Sequence, residues 1–143
     1  MFLGEYSYSI DDKKRLAVPA KFRLKLGKKA VITRGLDNCL FLFPLKDWNV
    51  LAEKLSKMPI SQADARGFSR LMLAGAMEVD LDNLGRILVP DYLKQYASLN
   101  KKVIVAGLYN RVKVWDEDKW NIYKKQTEKE AGSIAERLKE LGV

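Results

Sequence analysis

One short phrase occurs twice in this chain. "DDKKRLAVP" fills residues 11–19 and "DNLGRILVP" fills residues 82–90, so that an Asp, an Arg four positions later and an apolar run ending in Val-Pro recur at an interval of 71 residues. The register survives on either side. Backwards, Gly4 falls on Gly75, and Tyr8 and Ile10 fall on Val79 and Leu81. Forwards it slips by a residue or two, and "LGKKAVITRGLDNCLFLF" then lines up with "LNKKVIVAGLYNRVKVW", matching Gly35-Leu36 to Gly107-Leu108, Asn38 to Asn110 and Trp48 to Trp120. Glycines, asparagines and tryptophans coincide along with the apolar residues, so two tandem copies of one unit explain the pattern far better than chance. Any fold for this chain has to accommodate two similar halves.

Each copy spells the same string of elements. "YSYSI" and "MEVDL" alternate polar and apolar as a half-buried strand does, and "LAV" and "ILV" are short apolar runs stopped by proline. The loop between them has to reverse the chain. Gly85 supplies the positive φ such a turn uses, whereas Lys14 stands in that place in the first copy. A left-handed lysine costs roughly 1–2 kcal/mol, so either the first turn differs or the side chain gains a compensating contact. After each proline, "AKFRLKL" and "DYLKQYA" read as short helical turns. "AVITR" with "LFLF", and "VIVAG" with "VKVW", then make further strand pairs around Asn-containing turns, for eight short strands in all.

Helices follow each copy. Trp48, Leu51 and Leu55 share one face of a segment that Pro59 closes. Ser61 with Asp64 nearly matches a capping box, ahead of a stripe of Ala65, Phe68 and Met72. Acids suited to a helix N-terminus follow Trp115. A last segment is expected to start at a Thr127–Glu130 capping box, bury Ile134, Leu138 and Leu141, and stop at Gly142.

Composition removes several functions. The chain of 143 residues has no histidine, which excludes Ser-His-Asp and Cys-His chemistry and the usual zinc sites. The one cysteine, Cys39, lies in the apolar run "CLFLF" and is expected to be a buried, inert thiol. No nucleophile stands with a base, and no glycine-rich phosphate loop or metal cluster is evident, so neither an enzyme nor a cofactor is expected. No apolar run is long enough for a membrane span and no basic leader opens the chain, which points to the cytoplasm. The net charge of +8 is unevenly placed: residues 1–71 hold 14 Lys and Arg against 7 Asp and Glu, residues 72–143 hold 12 against 11. Such a concentration suggests a face that meets a polyanion, with nucleic acid the first candidate.

The doubled motif supplies the candidate site. Lys13, Lys14 and Arg15 are consecutive cations on a turn between strands, placed to reach phosphates. Arg15 is the candidate for base reading, because a guanidinium makes two hydrogen bonds to the major-groove edge of guanine. Asp11 is expected to orient it, by pairing with the guanidinium or accepting loop amides. Asp82 and Arg86 repeat the arrangement in a loop without lysines, so a purely structural clamp is the stronger reading there, and the first copy is expected to carry most of the binding. Lys21, Arg23, Lys25, Lys28 and Lys29 extend the basic half, in orientations the sequence does not show.

The stretches "MFLGEYSYSID", "VPAKFR", "TRGLDNCLFLFP", "DARGFSRLMLAGA" and "NRVKVW", with the doubled Asp-x-x-x-Arg, resemble the MraZ family of bacterial transcriptional regulators along almost the whole chain. Lys14 departs from the family's usual glycine. The resemblance implies a mainly β fold with flanking α-helices: a double-split, swapped-hairpin β-barrel of the AbrB and MazE type, formed by two tandem pseudo-symmetric repeats. Residues 1–71 and 72–143 would be the repeats, joined as an internal pseudo-dimer. It also implies a homo-oligomeric ring that grips short direct repeats of double-stranded DNA at the promoter of its own cell-division and cell-wall operon, in the cytoplasm at the nucleoid. Repression is the simplest outcome of occupying a promoter. Two alternatives carry less weight. Nonspecific nucleoid or RNA binding would need only basic loops, and an antitoxin-like module would use a disordered tail, where this chain is expected to end in a capped helix. No small-molecule pocket or membrane contact is indicated.

Overall fold

In each half, two strands lead through a short helix into two more strands. The computed structural model describes residues 1–142. The first unit holds β1 (Phe2–Ser9), β2 (Arg15–Ala17), α1 (Ala20–Leu26), β3 (Lys29–Arg34) and β4 (Leu40–Pro44), followed by α2 (Leu45–Ser56) and α3 (Ala63–Ser69), which runs into a π-helical turn at Arg70–Ala74. The second holds β5 (Met77–Asp80), β6 (Arg86–Leu88), α4 (Asp91–Tyr96), β7 (Lys102–Tyr109) and β8 (Val112–Asp116), then α5 (Glu117–Arg137) and a 3-10 turn at Lys139–Leu141. The eight strands read from the sequence are all present, although β1 starts earlier than expected.

The strands of the two units interleave. Six form one antiparallel sheet in the order β1-β7-β8-β4-β3-β5, and β2 pairs with β6 in a separate two-stranded ribbon. The first strand of each unit therefore bonds to the third strand of the other: β1 runs in register with β7 from Phe2–Tyr109 to Ser9–Lys102, and β5 pairs with β3. The order is a palindrome under exchange of the units, with the pseudo-twofold between β4 and β8. Backbone hydrogen bonds do not close these strands into a barrel among the described residues. β1 and β5 end the large sheet, and an Ile10–Leu16 bridge links its β1 side to the ribbon.

Period-2 alternation with burial on both faces explains why β4 is apolar throughout and β7 and β8 largely so. Leu40 and Leu42 of β4, Val103 and Val105 of β7, and Val112 and Val114 of β8 enter one core with Leu16, Val18, Phe22, Ile87, Val89 and Leu93. Their neighbours Phe41, Phe43, Ile104 and Trp115 point the other way, into a second cluster with Leu55, Met72 and Cys39. A strand buried on both faces has no polar side to show. The ribbon, α1 and α4 supply the first cluster's other layer, while α2, the α3 region and the start of α5 cover the second.

The helices depart from the sequence reading at three points. The α3 helix begins at Ala63 with Gln62 as its N-cap and no side-chain cap, so Ser61 does not cap it. Thr127 lies inside α5, one continuous helix capped by Asp116, whose carboxylate accepts the Lys119 amide. The stripe expected to be buried is not: Leu138 is 39% and Leu141 75% exposed. Helix periodicity reports an apolar face, whereas burial needs a surface to receive it, and the sheet is already covered by the first turns of α5. Gly142 does end the 3-10 turn in the left-handed conformation.

Gly107 sits opposite Gly4 where β1 crosses β7. A Cβ at Gly107 would lie 2.5 Å from the Leu3 nitrogen and the Phe2 carbonyl carbon, both backbone atoms that cannot swing aside. Gly107→Ala is therefore expected to lower stability by about 2–3 kcal/mol in chemical denaturation, with β1 amides exchanging ahead of the other strands. Unchanged stability would show that this close approach is not a constraint.

Candidate nucleic-acid interface

The two Asp-x-x-x-Arg loops fold alike. In the first, the Lys14 amide donates to the Asp11 carbonyl at 2.9 Å and the Asp11 amide to the Arg15 carbonyl at 3.0 Å. This is a three-residue hairpin loop, a tight turn followed by one left-handed residue. The second repeats it, with Gly85 donating to Asp82 and Asp82 to Arg86, both at 2.9 Å. The left-handed residues are Lys14 at φ 63° and Gly85 at φ 74°. Lys14 thus adopts the costly conformation, and its Nζ donates to Asp91 at 2.7 Å, the compensating contact the strain calls for. That pair is exposed on both sides, so it offsets only part of the strain.

Each aspartate is the hub of its loop. One Asp11 oxygen accepts the Lys13 and Arg15 amides at 2.9 Å, and the other accepts Arg15 Nε at 2.7 Å. Asp82 does the same with the Leu84 and Arg86 amides and Arg86 Nε, at the same distances. The amides of Arg15 and Arg86 are the chief cause, with the guanidinium bonds behind them, that hold both carboxyls below their ordinary value, against partial desolvation. Each arginine is gripped through Nε, and among the described residues the Nη groups of Arg15 and Arg86 have no partner.

The ribbon puts both arginines on one face. Leu16 pairs with Ile87, and both point into the core. Arg15 opposite Leu88 and Arg86 opposite Ala17 therefore share the outer side, as a diagonal pair about 7–8 Å apart. The structure brings all four candidate cations and both aspartates to this ribbon and its two loops, and Asp82–Arg86 is as complete a clamp as Asp11–Arg15. Leu88, opposite Arg15, is exposed on the same outer face.

The other cations of the first unit disperse. Lys25 lies over the Phe2 ring at 5.7 Å and Lys29 is 3.9 Å from Asp80. Arg23 had no special signal in the sequence, yet its Nε donates to the Val18 carbonyl at 3.0 Å and its guanidinium lies against Gly85 of the second loop. Only the exchange of strands between units brings them together. Cys39 is buried, and desolvation pushes its thiol up to about 11. Among the described residues no helix is long and apolar enough to cross a membrane, and no cluster has the ligand set for a metal ion.

Because both aspartates have lowered folded-state values, their contribution is complete above the ordinary carboxyl value of 3.8 and lost as pH falls through the lower folded value. Followed by NMR, the Lys13, Arg15, Leu84 and Arg86 amides should keep their hydrogen-bonded shifts down to pH 3.8 and lose them only below it. Loss between pH 5 and pH 4 would contradict the hub role. Gly85→Ala should cost at least about 1–2 kcal/mol of stability from its left-handed backbone, and more because the added Cβ displaces the Arg23 guanidinium, read by denaturant titration.

The family described as "MraZ protein, putative antitoxin-like" matches twice, over residues 1–71 and 72–141. The chain is also similar to proteins named "Transcriptional regulator MraZ": 49% identical to that of Natranaerobius thermophilus over 96% of both chains, and 46% and 47% identical to those of Alkaliphilus metalliredigens and Acetivibrio thermocellus over the full length of each. Matches of this extent, falling once on each half of the repeat that carries the two clamps, place the chain plainly: it belongs to the MraZ family.

Proposed function

We propose that this chain is a sequence-specific DNA-binding transcriptional regulator in which the β2–β6 ribbon lies against the major groove. The observation that carries the reading is the pair of matching clamps: two guanidinium groups, each held through Nε with its Nη donors unspent, on one exposed ribbon face. B-form DNA admits a two-stranded ribbon in its major groove, and an arginine fork matches guanine O6 and N7. The diagonal separation of Arg15 and Arg86 is close to two base steps of about 3.4 Å each, so both fit one short site. Lys13 and Lys14 then take phosphates, Lys14 by exchanging Asp91, while Asp11 and Asp82 keep the arginines aimed. The printed name of the relatives, transcriptional regulator, supports the same reading.

Finer points belong to the same proposal. The exchanged strands represent the swapped-hairpin barrel of the AbrB type, with 1–71 and 72–143 as its two repeats in one pseudo-dimeric unit. Copies of the chain assemble into a ring, so that several ribbons engage short direct repeats of double-stranded DNA. The target is the protein's own promoter in the cell-division and cell-wall cluster, which binding represses, in the cytoplasm at the nucleoid. The chain has no catalytic role and uses no cofactor.

The test is fluorescence anisotropy with DNA from immediately upstream of the gene against a shuffled duplex, across a salt series. The upstream DNA should bind more tightly, and Arg15→Ala and Arg86→Ala should each remove about 1–3 kcal/mol of that discrimination while the chain stays folded in the same oligomeric state. Equal affinity of the wild type for both duplexes would make the protein a general nucleic-acid binder and refute the specific reading.

A further inference from the structure

Counted along the sequence, the first loop is cationic and the second is nearly neutral. Counted in space, the difference disappears. The groove beside the first loop is lined by Lys14, Lys94 and Lys101, but also by Asp11 and Asp12, and Lys14 is engaged by Asp91. The groove beside the second loop is lined by Arg23, Leu24, Lys28, Asp82, Asn83 and Gly85. Its one acid, Asp82, is already committed to Arg86.

Arg23 is built into this groove. Its Nε bond to the Val18 carbonyl fixes the guanidinium, and Val18 is itself tied to the loop through its amide, which donates to the Gly85 carbonyl at 2.9 Å. A Cβ at Gly85 would fall 2.1 Å from Arg23 Nε and 2.4 Å from its Cζ. The absent side chain at Gly85 therefore does two things: it allows the left-handed turn, and it makes the space that Arg23 fills. Among the described residues the Nη groups of Arg23 have no partner, and Lys28 makes no ion pair.

We infer that Arg23 and Lys28, contributed by the first unit, form a phosphodiester-binding groove beside the second unit's loop, holding the DNA backbone that flanks the base contact of Arg86. The inference rests on the DNA-binding reading above. With the ribbon against the major groove, Arg15 and Arg86 occupy its centre, and α1 stands to the side of the ribbon where a sugar-phosphate strand runs. A guanidinium already held by one hydrogen bond presents its remaining fork with little further ordering, which suits a phosphate. The second loop needs no lysines of its own, because the exchange of strands lends it two cations.

A phosphate contact has a signature that a structural role lacks. In the same anisotropy assay, Arg23→Gln should lower the slope of log affinity against log salt by about 0.9 and weaken the upstream and shuffled duplexes by the same factor. Arg23→Lys should retain the slope. Lys28→Gln should lower it similarly, and supplies the reading if Arg23→Gln fails to fold. Lys57→Gln, which removes a cation paired with Glu53 on α2, should leave it at the wild-type value. A wild-type slope in both Arg23→Gln and Lys28→Gln overturns the groove, as does an equal fall in Lys57→Gln. The two readings fail separately. If Arg15→Ala abolishes discrimination while the Arg23 and Lys28 variants keep the slope, only the groove is wrong; a wild type that binds no DNA removes the function proposed above, and the groove with it.

Discussion

Everything at the candidate interface depends on the pairing of β1 with β7 and of β5 with β3. Those backbone ladders join each unit to the other, and neither unit's first strand has a pairing partner in its own half of the large sheet. A strand edge buried without hydrogen bonds would be costly, so the halves are complete only together. The core repeats the lesson in side chains: Phe2, Phe22 and Leu40 of the first unit share a cluster with Ile87, Leu93 and Val105 of the second.

The ribbon is the local consequence. With Ile10 bridged to Leu16, β2 and β6 are held edge to edge with Leu16 and Ile87 inward. Period-2 alternation then leaves Arg15 and Arg86 nowhere to go but out. The aspartates set the arginines' direction by binding Nε and the arginine's own amide together, a bond set formed within five residues of chain. Local bonds shape each loop, and long-range bonds bring the two loops to one surface.

Legibility in the sequence followed that division. The doubled motif, the eight strands and the Asp–Arg partnership were readable, because each rests on residues a few positions apart or on a repeat visible by inspection. The lysine at position 14 was readable as a problem, and the structure shows its resolution, a left-handed residue bonded to Asp91 some 77 positions away. The end of α5 was misread for the opposite reason. Thr127, Glu130 and the Ile134–Leu138–Leu141 stripe look like a separate amphipathic helix, yet a helix already under way at Glu117 needs no new cap, and that stretch finds no sheet surface left to cover. The cation beside the second loop was hidden similarly, since Arg23 lies 62 positions before the glycine it packs against.

The sequence alone determined that two copies of one strand-rich unit exist, that each carries an Asp-anchored arginine on a tight hairpin loop, and that histidine-dependent chemistry is absent. Turn propensity, alternation and short-range hydrogen bonding act over a handful of residues, and a sequence displays them directly. Only the tertiary structure decided that the units exchange strands, that Arg15 and Arg86 share one ribbon face, and that Arg23 packs against the loop of the other unit. Those outcomes depend on which buried edge finds its complement across the molecule, and hydrogen bonding across a sheet joins residues with no regard to their distance along the chain.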